Sequence, residues 1–151
     1  MKEKVLVLLG SDSDRERIIK LPKILDWFGI HYEIVVSSAH RNPDKTAAIA
    51  KSAEGEGYGV IIAAAGMAAH LPGVIAAHSP LPVIGLPLDA SPLKGVDALY
   101  SIVQMPPGVP VATVGIDGAV NAGVLAARIL ALSNLAIADK LKQFIAQGNK
   151  I

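Results

Sequence analysis

The chain has 151 residues, with 14 Lys and Arg against 13 Asp and Glu and no cysteine. That length suits a single domain, residues 1–151, and the near-balanced charge, without a long run of either sign, leaves no electrostatic footprint for nucleic acid or an anionic membrane. The lack of cysteine excludes disulfides, thiolate metal sites and a thiol nucleophile, so a proton carrier must come from His, Asp, Glu, Ser, Lys or Tyr.

Met1 to Lys4 is charged and runs straight into Val5–Leu9, too short for the apolar region of a signal peptide and without a small-residue cleavage site, which predicts a cytoplasmic chain. Val5–Leu9 is a continuous apolar run closed by Gly10, the pattern of a strand covered on both faces. A first helix is predicted from Ser13, where Ser13 and Glu16 have capping-box spacing. Its stripe Ile18, Leu21, Leu25, Phe28 ends at Gly29, with a kink or restart at Pro22. His31–Val36 reads as the second strand. Asn42 as N-cap and Pro43 at the first helical position then open a helix that Gly55 or Gly57 ends.

Val60 to Leu88 contains no charged residue, yet Gly66, Pro72, Gly73, Pro80, Pro82, Gly85 and Pro87 divide it into short elements rather than a membrane span. Those elements are a strand at Val60–Ala64, a short helix from Pro72 and a strand at Pro82–Leu86. Asp97–Val103 follows as a short helix, Val111–Val114 as a strand, and Ala119–Leu132 as a helix apolar nearly all round, interrupted only by Asn121 and Arg128. Asn134–Gln147 closes the chain as an amphipathic helix. Strands alternating with helices predict a parallel α/β sheet. Hydrophobic residues make up 52% and charged residues 18% of the chain, against about 45–50% and about 25% in an ordinary globular domain, and this surplus predicts burial between copies of the chain.

In open parallel sheets ligands bind beyond the carboxyl ends of the strands, so the loops after the first three strands are the candidate site. Gly10-Ser11-Asp12-Ser13-Asp14 fits neither a dinucleotide fingerprint nor a Walker loop. Its Ser11 and Ser13 hydroxyls and main-chain N–H groups suit a monophosphate, and Asp14 suits ribose hydroxyls, unless Ser13 and Asp14 merely cap the helix. In Ser37-Ser38-Ala39-His40-Arg41-Asn42, Arg41 offers a forked cation for phosphate at a helix start, Ser38 a hydroxyl, and His40 a proton carrier at neutral pH. Ala65 to Gly73 is small and apolar around His70, more a cover for a flat heterocycle than a metal site, since no carboxylate accompanies the histidines. His31 and His78 read as structural.

Four motifs occur in order along nearly the whole chain: Gly10-Ser11-Asp12-Ser13-Asp14, Ser38-Ala39-His40-Arg41-Asn42-Pro43, Ala68-Ala69-His70-Leu71-Pro72-Gly73 and Tyr100-Ser101-Ile102-Val103-Gln104-Met105-Pro106. Together they resemble the N5-carboxyaminoimidazole ribonucleotide mutases of purine synthesis. The resemblance implies a flavodoxin-like three-layer α/β/α sandwich, a homo-octamer with sites shared between subunits, and no metal or organic cofactor. It implies phosphate and ribose contacts from Ser11, Ser13, Asp14, Ser38 and Arg41, and proton transfer by His40. Gly66, Ala68, Ala69, His70 and Leu71 would surround the imidazole and the migrating carboxyl group. Met67 stands where that pattern has a second consecutive glycine, and Ala64 replaces another, which predicts a bulkier lid. Ile151 ends the chain earlier than in many relatives, which predicts altered packing across subunits. A carboxylase using free carbon dioxide, a phosphoribosyl-ligand binding module that dispenses with His40, and a flavin carrier, disfavoured by few aromatics, are the competing readings.

Overall fold

Alternating side chains of each central strand face two different helical layers, and this is what the long apolar runs encode. The computed structural model describes residues 3–151; Met1 and Lys2, the start of the charged segment discussed above, lie outside the described residues. The strands are β1 (Lys4–Leu9), β2 (Tyr32–Val36), β3 (Tyr58–Gly66), β4 (Val83–Leu88) and β5 (Ala112–Thr113), paired in the order β2-β1-β3-β4-β5. All four pairings are parallel. Val5, Val7 and Leu9 of β1 pack with Ile62 and Ala64 of β3 beneath α1 (Lys20–Phe28), α5 (Ala119–Leu130) and α6 (Leu135–Ala146). Leu6 and Leu8 join Ile61 and Ala63 on the opposite face, under α2 (Pro43–Ser52), α3 (Leu71–His78) and α4 (Val96–Val103). The result is a three-layer α/β/α sandwich with the flavodoxin strand order.

The first helix departs from the expected start. Asp12–Ile18 forms 3-10 turns capped by Ser11, with Asp14 rather than Glu16 in the return position, and regular α-helix begins only at Lys20. The restart at Pro22 is as predicted: Pro22 sits in the first turn of α1, where its missing N–H deprives no carbonyl of a partner. Gly29 closes α1 in the left-handed conformation, φ 70. α2 stops at Ser52, short of Gly55, α5 stops at Leu130 rather than Leu132, and the last strand shrinks to two residues.

α5 approaches α1 closely along Ala119, Ala122, Gly123, Ala126, Ala127 and Leu130, all buried. Gly123 permits this spacing, since a Cβ there would overlap the Ile24 side chain. Phe144 of α6 closes the layer against Trp27 and Phe28, with ring centroids 5.5 and 5.4 Å away. Beyond α5 the apolar surplus stays on the surface: Leu132 and Leu135 are 89% and 84% exposed, and Leu93 before α4 and Tyr100 on it stand out. Among the described residues no helix is long and apolar enough to cross a membrane.

Candidate active site

The chain leaves β1 toward β2 on one side and later crosses to β3 on the other, so the loops after β1 and β3 diverge and leave a crevice at their carboxyl ends. An open cleft of about 430 Å³ lies there, lined by Gly10, Ser11 and Asp12 after β1, by Val36 at the end of β2 and Ser37, Ser38, His40, Arg41 and Asn42 after it, and by Met67 after β3.

The β2 loop is held from below. Thr46, fully buried on α2, bonds the Ser37 hydroxyl at 2.7 Å and donates to the Ser38 carbonyl at 3.3 Å. Asn42 N–H donates to the same carbonyl at 2.9 Å, and Arg41 N–H to Ser38 Oγ at 3.2 Å. Ser38 Oγ, already accepting, keeps its own hydrogen for a ligand. This compact turn leaves His40 and Arg41 exposed at the mouth of the cleft. Pro43 at the first turn of α2 lets the helix begin directly after them.

His40 does not stand alone. Its Nε2 lies 2.6 Å from Nδ1 of His70, which arrives from the loop after β3, and the two rings meet edge to face with centroids 4.8 Å apart. One nitrogen of that contact donates and the other accepts, the roles being set by the tautomers of the two rings. Such a pair can release a proton to a ligand and take one back. Among the described residues no three His, Asp or Glu side chains form a metal-binding group.

The other predicted site residues divide. Ser11 lines the cleft and its hydroxyl bonds Ser13 at 2.9 Å. Asp14 turns inward, only 6% exposed, and its carboxylate accepts Ser11 N–H at 3.0 Å. Burial raises the Asp14 pKa above the ordinary aspartate value, while the Ser11 hydrogen bond and Arg17 act the other way. Asp14 thus shapes the loop from below, as a capping residue does. At the end of β3, Gly66 is pinned: a Cβ on it would lie 2.5 Å from Ala90 Cβ. Ala68 and His70 are exposed, whereas Ala69 and Leu71 bury their side chains in the core, so neither of those side chains faces a ligand. The Tyr100–Pro106 motif arrives behind His70, where Met105 and Ser101 border a second hollow with His70 and Gly73.

Asp12, Asn42 and the Ser37–Thr46 pair are the parts that sequence reasoning missed. Asp12 and Asn42 sit inside motifs already singled out, so their position was the available signal. Nothing local marks Thr46 as the support of a loop nine residues before it.

A doubly wound parallel sheet with polar loops gathered at its switch point, and two histidines in contact there, defines an α/β protein with a small-molecule cleft. Residues 4–150 match the family model described as AIR carboxylase, and the chain belongs to that family. N5-carboxyaminoimidazole ribonucleotide mutase of Thermotoga maritima is 54% identical over 93% of this chain and 82% of that protein. The protein of the same name from Pyrococcus abyssi is 52% identical over 93% and 81%. Phosphoribosylaminoimidazole carboxylase of Schizosaccharomyces pombe is 51% identical over 96% of this chain, which spans only 26% of that longer protein. A crystal structure of Treponema denticola PurE2-S38D superposes with a TM-score of 0.86 at 31% identity, covering 99% of this chain and 92% of that one.

Proposed function

We propose that this chain is an N5-carboxyaminoimidazole ribonucleotide mutase of purine biosynthesis, moving a carboxyl group from the exocyclic nitrogen to a ring carbon of the aminoimidazole. Support comes from relatives of that name at 52–54% identity over 93% of the chain. The observation that carries the chemistry is the 2.6 Å contact between His40 and His70 beside the cleft.

A carbamate loses carbon dioxide readily when its nitrogen is protonated. The C–N bond breaks with its electron pair remaining on nitrogen, which takes a proton from His40. The ring carbon of the resulting electron-rich aminoimidazole attacks the carbon dioxide, and the proton displaced from that carbon returns to His40. His40 is acid and base in one turnover, with His70 holding its partner nitrogen between the two steps. Arg41, Ser38, Ser11 and Ser13 take the phosphate end, with Asp14 fixing the Ser11 N–H. Gly66, Ala68, Ala69, His70 and Leu71 surround the heterocycle, Ala69 and Leu71 through main chain. The reaction in this form requires no cofactor. The exposed Leu132, Leu135, Leu93 and Tyr100 fit burial in a homo-octamer, which sedimentation tests, and a place of work in the cytoplasm is tested by fractionation.

The decisive assay supplies the carbamate at low bicarbonate and follows the carbon-carboxylated product. Synthesis from the carbamate is the expected result. Product only from the decarboxylated ribonucleotide plus bicarbonate establishes the direct carboxylase, and ligand binding without turnover establishes a binding module. His40→Asn should abolish turnover with the fold intact; near-native turnover refutes the role given to His40.

A further inference from the structure

Met67 joins three observations that the roles above leave unexplained. Its backbone is left-handed, φ 56, a conformation unfavourable for a residue with a Cβ and free to glycine. The turn holds it there: Gly66 is wedged against Ala90, and the N–H groups of Ala69 and His70 bond the carbonyls of Met67 and Ala68 at 2.9 and 2.8 Å. The side chain also contributes little to folding, since Met67 is 59% exposed and outside both core clusters. It lines the cleft together with Ser38, His40 and Arg41.

We propose that Met67 is the lid of the carboxyl-transfer cleft: its thioether side chain covers the heterocycle of the bound ribonucleotide and keeps released carbon dioxide inside until the ring carbon captures it. The inference rests on the mutase reading. A disfavoured backbone kept without a packing return marks a functional constraint. An unbranched, polarisable thioether adapts to a flat ring and makes favourable sulfur–aromatic contacts. An apolar lid also suits carbon dioxide, a neutral molecule that is lost to bicarbonate once it meets bulk water. Met67 forms no bond in this scheme. It biases the fate of the free carbon dioxide, toward attack by the ring carbon and away from escape.

The test uses the carbamate substrate with a heavy-carbon label in its carboxyl group, in buffer equilibrated with unlabelled bicarbonate, and reads the label kept in the product by mass spectrometry. Met67→Gly frees the backbone and opens the lid, so label loss should rise at least ~3-fold, with decarboxylated ribonucleotide accumulating. Met67→Leu restores apolar bulk and should keep the label as the parent does. Equal retention in Met67→Gly and the parent overturns the lid, as does a Met67→Leu that leaks as much as Met67→Gly. Thermal melting of Met67→Gly at or above the parent is expected, and a less stable Met67→Gly removes the strain on which the inference stands. If the parent enzyme makes no product from the carbamate, the mutase reading fails, and it does so before any variant is compared.

Discussion

Removing the Thr46 hydroxyl while keeping its shape, Thr46→Val, tests whether the histidine loop is held from beneath. Thr46 is fully buried, and its Oγ1 both bonds Ser37 Oγ and donates to the Ser38 carbonyl. The Ser38 carbonyl keeps a second partner, Asn42 N–H. The Ser37 hydroxyl, 2% exposed, loses the only side-chain partner it has among the described residues. An orphaned buried hydroxyl is worth about 1–3 kcal/mol, so Thr46→Val should lower the free energy of unfolding by that much in a urea titration. For a chain of this length that is about 2–4 °C in Tm per kcal/mol. The distinguishing feature is the double variant. Ser37→Ala combined with Thr46→Val removes both partners, so it should be more stable than Thr46→Val alone, and the two changes should be non-additive. Because Ser38, His40 and Arg41 follow directly on this pair, KM for the ribonucleotide should rise in Thr46→Val and partly recover in the double variant. A Thr46→Val protein as stable as the parent, or a double variant showing the simple sum of the two losses, refutes the reasoning.

Gly66→Ala should destabilise by about 1–3 kcal/mol in the same titration, because Ala90 Cβ and the Leu88 carbonyl leave no room for a methyl group and neither is a flexible side-chain end. Asp14→Asn keeps an acceptor for Ser11 N–H but cannot ionise. Burial raises the folded-state pKa of Asp14, so the native state holds a proton more tightly than the unfolded chain, and the parent loses stability as pH rises through the folded pKa. Denaturant titrations should therefore show Asp14→Asn at least as stable as the parent at pH 7, with the difference shrinking once pH falls below the ordinary aspartate value of 3.8. Asn134 caps α6 through its side chain, accepting Ile137 N–H at 3.1 Å, and Asn134→Ala should cost about 1 kcal/mol by thermal or chemical unfolding.

Element type was legible in the residues because it rests on local physics. Continuous apolar runs mean strands covered on both faces, and Asn42-Pro43, Pro22 and Gly29 carry dihedral and hydrogen-bond constraints that act within a few residues. Boundaries were less legible. Ser13–Glu16 and Ser11–Asp14 both have capping spacing, and only the packing of Ile18 and Leu21 into the core selects the second. The family, too, was readable from four ordered motifs. The order of strands was another matter, since β1 meets β3 across more than fifty intervening residues and no local pattern encodes that partner. The same holds at the site. Sequence singled out His40 and His70 on separate loops, yet only the crossover that sets β1 between β2 and β3 brings Nε2 of one to 2.6 Å from Nδ1 of the other. Sequence likewise marked Met67 as bulk where glycine was expected. That its backbone is left-handed and its side chain borders the cleft goes with the wedge of Gly66 against Ala90, a contact between the end of β3 and the loop after β4 that only the folded sheet makes neighbours.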